Sequence, residues 1–170
     1  MIHPAFWQPV AEQIQHAQCT AQPPMMCITG NSGCGKSTLG RWLRKQGMPG
    51  IKPRQILVID DGVARISFLG LLKRRLRFRS KEKDHLAPFQ PYFAGKKLVV
   101  FISCHPSRRI DSCDILLQVR CSDDLRLAQL RQRESDGDKR YQDTAHYQLQ
   151  PPRHRWAFNV QNDGQHFRFV

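Results

Sequence analysis

Eight consecutive residues, Gly30-Asn31-Ser32-Gly33-Cys34-Gly35-Lys36-Ser37, carry the most specific chemistry in the chain. The pattern is a glycine, four variable positions, then Gly-Lys-Ser. Glycines let the backbone fold into a concave nest whose N–H groups point at phosphate oxygens. A helix starting directly after the nest adds the partial positive charge of its N-terminus. Lys36 can bridge the β- and γ-phosphates, and the Ser37 hydroxyl can ligate Mg²⁺. Chance occurrence of the pattern in a chain this long is below about one per cent. Residues Gly30 to Ser37, with Thr38, are therefore expected to bind a nucleoside triphosphate, ATP with Mg²⁺. The plainer alternative is a glycine turn before a helix.

A second set of residues suits the acceptor of a phosphoryl group. Asp60 and Asp61 close an apolar run, Gln55-Ile56-Leu57-Val58-Ile59. Ligands of open parallel sheets gather outside the carboxyl ends of the strands. Both carboxylates then lie beside the phosphate loop if the two strands are neighbours. Asp61 is the preferred base for an attacking hydroxyl, and Asp60 the partner on the Mg²⁺ side. Arg65 can grip an anionic acceptor through bidentate hydrogen bonds. The plainer reading is two helix-capping aspartates and a surface arginine. His105 either touches the acceptor or is a loop histidine before Pro106.

Eight basic residues run from Arg65 to Lys83: Arg65, Lys73, Arg74, Arg75, Arg77, Arg79, Lys81 and Lys83, opposed only by Glu82. Arg74 and Arg75 join Arg65 as acceptor-binding candidates. Ile66, Phe68, Leu72 and Leu76 are interleaved, and four readings stay open. The stretch can hold a phosphorylated or polyanionic acceptor. It can cradle a nucleic acid, with Phe78, Phe89, Tyr92 or Phe93 stacking on bases. It can lie on an anionic membrane as an amphipathic helix. Or it is a core-packing helix with a solvated basic face.

Elements must position these groups. Met25–Thr29 reads as a short apolar strand entering the loop, and Thr38–Lys45 as the helix leaving it. Further strands are expected over 55–59, 97–103, 114–119 and 156–160. Ser122-Asp123-Asp124 caps a helix carrying Leu125, Leu127 and Leu130. Phe6, Val10, Ile14 and Ala17 recur at helical spacing before Pro23-Pro24. Residues 135–154 read as polar and irregular. Near-continuous apolar runs suit a parallel sheet covered on both faces, so an α/β three-layer fold is expected.

The 170 residues fit one domain. A net charge of +13 favours anionic partners without choosing among them. Met1 to Val10 lacks the pattern of a secretory leader, and no apolar run reaches bilayer-spanning length. The six cysteines show no CxxC pair, which favours reduced thiols and a cytoplasmic protein.

The run Val58-Ile59-Asp60-Asp61-Gly62-Val63-Ala64-Arg65, about one strand–helix unit after the loop, resembles the Asp-x-x-x-Arg corner of the P-loop small-molecule and nucleotide kinases. Dephospho-coenzyme A kinases and uridine kinase-like proteins look similar, and polynucleotide 5′-hydroxyl kinases more distantly. Cys113–Val119 followed by Leu125–Arg133 resembles their fourth strand and arginine-bearing lid helix. Ala157–Gly164 is similar to their fifth strand and base-side loop. The resemblance implies a three-layer P-loop NTPase fold with a five-stranded parallel sheet. It also implies a helical lead-in over 1–24, a basic acceptor-side insertion over 62–96 and a lid over 131–154. The implied activity moves the γ-phosphoryl group of Mg-ATP to a hydroxyl of a small anionic or nucleotide-like acceptor. Arg131, Arg133 and Arg140 would neutralise the developing charge, and Asn162, Asp163 and Gly164 would sit beside the nucleotide base. The arginines can equally form a solvated basic face. A polynucleotide 5′-hydroxyl is the second acceptor, and a regulatory or nucleic-acid-binding P-loop protein is the reading from another class. One departure stands out: the third strand ends in Ser103-Cys104-His105, without the acidic residue that many such proteins keep behind Mg²⁺.

Overall fold

A computed structural model of the chain describes residues 2–17, 22–60, 63–68, 72–77, 83–145 and 150–170. In chain order its strands are β1 (Met25–Thr29), β2 (Ile56–Asp60), β3 (Val63–Phe68), β4 (Leu72–Arg77), β5 (Leu98–Ile102), β6 (Ser112–Cys121), β7 (Arg153–Asn162) and β8 (Phe167–Phe169). The helices are α1 (Gln8–Ala17), α2 (Lys36–Gln46), α3 (Asp123–Arg133) and α4 (Gly137–Ala145). The fold is α/β.

One eight-stranded sheet has the order β4-β3-β2-β5-β1-β6-β7-β8. Its five middle strands, β2-β5-β1-β6-β7, are mutually parallel. At the edges β3, β4 and β8 pair antiparallel, so the sheet is mixed rather than five-stranded and parallel throughout. Connection length is the reason. Asp60 pairs with Val63, and Phe68 with Leu72. So few intervening residues permit a hairpin, whereas a parallel return needs a crossover of about a dozen or more.

Alternation along each central strand buries both faces. Met26, Ile28, Val100, Ile102, Ile115 and Leu117 meet Val10 and Ile14 of α1 and Leu39 and Leu43 of α2. Cys27, Leu57, Ile59, Val99, Phe101 and Leu116 face the other way. There the cover is Leu86 and Phe89, at the start of and within a 3₁₀ segment over Ala87–Tyr92. The expected third layer is therefore a short 3₁₀ segment among the described residues, not a layer of α-helices.

The N-terminal segment belongs to the core. Trp7 is fully buried and stacks on Trp42 of α2 at 5.9 Å, and Phe6 stacks on Phe169 of β8 at 4.5 Å. The expected end of the segment before Pro23-Pro24 falls on 18–21, which lie outside the described residues; α1 is described to Ala17.

Two local expectations need correction. The basic stretch is not helical where it is described: β3 and β4 form a hairpin with Arg65 opposite Arg75 and Ile66 opposite Arg74. Val63, Ile66 and Phe68 favour a strand in β3, and β4, with no β-branched or aromatic residue, is held by pairing with it. Residues 137–145, expected as irregular, form α4. The strands β6 and β7 also outlast their apolar runs, with Arg120 opposite Gln161 and Cys121 opposite Asn162. That extension carries Cys121 and Asn162 to the glycine loop after β1.

Candidate functional site

The loop between β1 and α2 lies at the carboxyl end of the central strand, with β5 on one side and β6 on the other. The chain winds outward in both directions from this strand, which makes the position a topological switch point. Glycine is required at both ends of the loop. Gly30 has φ +147° and a Cβ there would sit 2.2 Å from the Val119 carbonyl oxygen. Gly35 has φ +92°, and a Cβ would meet the Asn162 side-chain nitrogen at 2.7 Å.

Side chains from three elements hold the loop carbonyls. Lys36 Nζ donates to the oxygens of Gly30 at 2.7 Å and Asn31 at 2.8 Å. Arg126 Nε donates to the Ser32 oxygen at 3.1 Å. Asn162 Nδ2 donates to the Cys34 oxygen at 3.1 Å. A planar trans peptide points its C=O and the following N–H in opposite directions. Bracing the Ser32 and Cys34 carbonyls thus turns the N–H groups of Gly33 and Gly35 away from the braces. Both glycines line a cleft of about 730 Å³. The α2 N-terminus opens into it with no side-chain cap.

Ser37, which lines the cleft, belongs to a hydroxyl–carboxylate pair. Ser37 Oγ donates to Asp60 Oδ1 at 3.1 Å. Although β1 and β2 are not neighbours, β5 between them stops at Ile102, the small residues Ser103 and Cys104 follow it, and Asp60 reaches Ser37 past its end. Cys104 Sγ accepts from Lys36 Nζ at 3.3 Å and lies 3.5 Å from Ser32 Oγ. The end of β5 thus offers the lysine a thiol, and the carboxylate comes from β2 instead. A Ser/Asp oxygen pair fits Mg²⁺, which takes one or two protein oxygens and keeps water and phosphate oxygens for its other positions.

Lys36, Arg41, Arg133 and Arg140 bring positive charge to the cleft, alongside Gln129 and Gln132 of α3. Gln129, Gln132 and Arg133 share one helical face. Arg131 lies on another face, where its guanidinium binds the Asp138 carboxylate at 2.6 Å in solvent. It does not line the cleft, in contrast to the expectation from the arginine-bearing helix. Arg133 donates to Glu134, and Arg140 lies 3.9 Å from the same carboxylate.

The loop after β7 braces rather than contacts the cleft. Asn162 is 3 % exposed, and its Oδ1 accepts from the Gly164 N–H at 2.9 Å. Asp163 accepts from the N–H groups of Gln165 and His166, which hold its carboxyl below the usual range. His105 is half-buried and does not line the cleft, and burial, Arg108 and Lys36 push its pKa down. Asp61 and Gly62 lie outside the described residues, as do the side chains of Arg65, Arg74 and Arg75.

Arg126 is the residue that sequence reasoning passed over. It is 3 % exposed, lies 4.5 Å over the Tyr141 ring, and also donates to the Tyr141 oxygen at 3.1 Å and to Thr144 Oγ1 at 2.5 Å. It ties the loop to α3 and α4 together. Its only sequence signal is position: the first turn of α3, four residues before buried Leu130.

Five described cysteines are free thiols. Cys121 Sγ donates to Cys34 Sγ at 3.2 Å. That hydrogen bond lowers the Cys34 pKa; burial opposes it, and the charges of Lys36 and Arg126 add to it, leaving the thiol at about 7. The Cys121 pKa moves upward, through the same hydrogen bond and burial.

No protein-family model matches the chain, and no curated protein matches it. No helix among the described residues is long and apolar enough to cross a membrane.

Proposed function

We propose that the chain is an ATP-dependent phosphotransferase with a P-loop kinase fold, acting on a hydroxyl of a small anionic or nucleotide-like acceptor. The observation that carries this reading is the Ser37–Asp60 contact at 3.1 Å beside Lys36 and the braced glycine loop. A glycine turn with no ligand needs neither a carboxylate brought across an intervening strand nor three side chains bracing its carbonyls.

The donor phosphates lie against the N–H groups of the loop and the first turn of α2. Lys36 keeps its two carbonyl contacts, and a phosphate oxygen replaces the weak Cys104 sulfur as its third acceptor. Mg²⁺, when bound by Ser37 and Asp60, would neutralise charge on the β- and γ-phosphates. Asp61, next in sequence to Asp60, accepts the proton of the attacking hydroxyl. Arg133 and Arg140 stabilise charge on the transferred group. Asn162 holds the loop and makes no direct contact, and Gln132, Arg133 and Arg140 line the closing side of the cleft.

A polynucleotide 5′-hydroxyl is a second acceptor, favoured by the hairpin register. Strand alternation puts Arg65, Lys73, Arg75 and Arg77 at positions of one face of β3–β4, opposite the face of buried Ala64. Like charges at paired positions cost stability unless an anion joins them.

The test is calorimetry with ATP or GTP and Mg²⁺, followed by a labelled-ATP screen over metabolite hydroxyls, nucleosides and 5′-hydroxyl oligonucleotides. Asp60→Asn should weaken Mg²⁺-dependent binding at least about tenfold and spare binding in EDTA. Wild-type affinity in that variant with Mg²⁺ removes the metal assignment. Asp61→Asn should abolish transfer and keep ATP binding; retained transfer defeats its role as base.

A further inference from the structure

Two thiols meet at the phosphate loop, and the proposed phosphotransfer uses neither. Cys34 is inside the loop and 4 % exposed. Cys121 ends β6, held in register opposite Asn162 of β7. Their sulfurs are 3.2 Å apart, and Lys36 and Arg126 put positive charge at Cys34.

We propose that Cys34 and Cys121 form an oxidation-sensitive dithiol, closed by a hydroperoxide, whose disulfide distorts the loop and weakens phosphate binding. The modification stands independently of the proposed function; its effect on phosphate rests on that reading.

The Cys34 thiolate attacks the O–O bond of hydrogen peroxide. An S–O bond forms, the O–O bond breaks, and hydroxide leaves, so that Cys34 becomes a sulfenic acid and loses two electrons. The Cys121 sulfur then attacks Cys34. The S–S bond forms, the S–O bond breaks, and the departing hydroxide takes the Cys121 proton as water. Two thiols and one peroxide give one disulfide and two waters. A disulfide shortens the sulfur separation to about 2.0 Å. Cys121 is held in register by β7, whereas Cys34 sits in a loop, so the movement falls on Cys34. Its N–H donates to the Asn31 oxygen at 3.3 Å, and its oxygen is held by Asn162. Displacing it turns the Gly33 and Gly35 amides off their aim. Loss of the thiolate's negative charge favours phosphate, so weakened binding reports the distortion.

A second thiol pair supplies contrast. Cys27 is fully buried and hydrogen-bonds Cys113, which with burial pushes its pKa up. A thiol held protonated in the core, as Cys27 is, is inert to peroxide.

The experiment treats the reduced full chain with hydrogen peroxide, alkylates remaining thiols and maps tryptic peptides without reduction. Cleavage after Lys36, Arg120 and Arg126 puts Cys34 in peptide 1–36 and Cys121 in peptide 121–126. These two peptides should be linked through Cys34, freed by dithiothreitol, separate in Cys121→Ser and still linked in Cys113→Ser. Full alkylation of both thiols after peroxide overturns the dithiol. In parallel, calorimetry compares ATP affinity of the reduced and oxidised protein. At least a tenfold loss, reversed by dithiothreitol, is expected; a cross-link with unchanged affinity overturns its effect on phosphate. Failure of the reduced protein to bind ATP overturns the proposed function and leaves the cross-link result standing.

Discussion

At the residue scale, the loop is shaped from behind. Lys36, Arg126 and Asn162 each take a carbonyl that would otherwise be free to rotate the amides away from a ligand. Arg126 is the most consequential, because Ser32, Tyr141 and Thr144 all depend on its guanidinium. Arg126→Ala should lower unfolding stability by about 2–4 kcal/mol, since it leaves several buried acceptors without a donor. Urea unfolding checks this, and a loss under about 0.5 kcal/mol is the value of an ordinary surface site. Lys36→Ala should keep the fold by circular dichroism and lose ATP affinity at least about tenfold, the scale of a charged hydrogen bond. Equal affinity would end the phosphate assignment. The Cys34 pKa of about 7 has its own signature. The thiolate is the reactive form, so alkylation of Cys34 should slow as pH falls through about 7 and level off above it. A midpoint near the ordinary thiol value would remove the influence of Cys121, Lys36 and Arg126.

At the element scale, α1 is part of what positions α2. Trp7, Val10 and Ile14 share one cluster with Leu39 and Leu43. The α2 N-terminus therefore points where the N-terminal segment presses it. Trp7→Ala should cost about 3–5 kcal/mol, the range for removing a large buried aromatic. Thermal unfolding followed by ATP titration of the folded fraction reads both consequences. On the far side, α3 and α4 are held to the loop through Arg126, which puts Arg133 and Arg140 on the cleft and leaves Arg131 outside.

At the scale of the whole molecule, the charge is +13. Lys36, Arg41, Arg133 and Arg140 line the cleft, and the register puts Arg65, Lys73, Arg75 and Arg77 at positions of one face of the hairpin β3–β4. An edge strand rich in Lys and Arg also discourages pairing with other chains. If the hairpin meets a polyanion, Arg75→Glu with Arg77→Glu should weaken oligonucleotide binding uniformly across sequences. The salt dependence should fall by about one unit of slope for each phosphate that is no longer neutralised. Binding with no salt dependence in the parent chain excludes that partner.

The sequence by itself determined the glycine loop between a strand and a helix, the α/β class and the five parallel strands' approximate places. Each is a local signal: glycine spacing before Lys-Ser, apolar runs, and a Ser122 cap whose side chain accepts from the Leu125 N–H. The loop was legible because nests need particular residue types in a fixed order, whatever surrounds them. Strand order was not, so the separation of β1 from β2 by β5 was invisible, as was the reach of Asp60 past Ser103 and Cys104 to Ser37. The hairpin's own alternation was present in the residues 63–68 and 72–77, but the density of charge favoured a helix reading. Only tertiary structure chose Arg133 over Arg131, turned Asn162 into a brace, buried Arg126 and set Cys34 against Cys121. The physical reason is common to these cases. The Ser37–Asp60 pair spans 23 positions and the Cys34–Asn162 pair 128, and packing of whole elements, not local preference, sets which side chains meet.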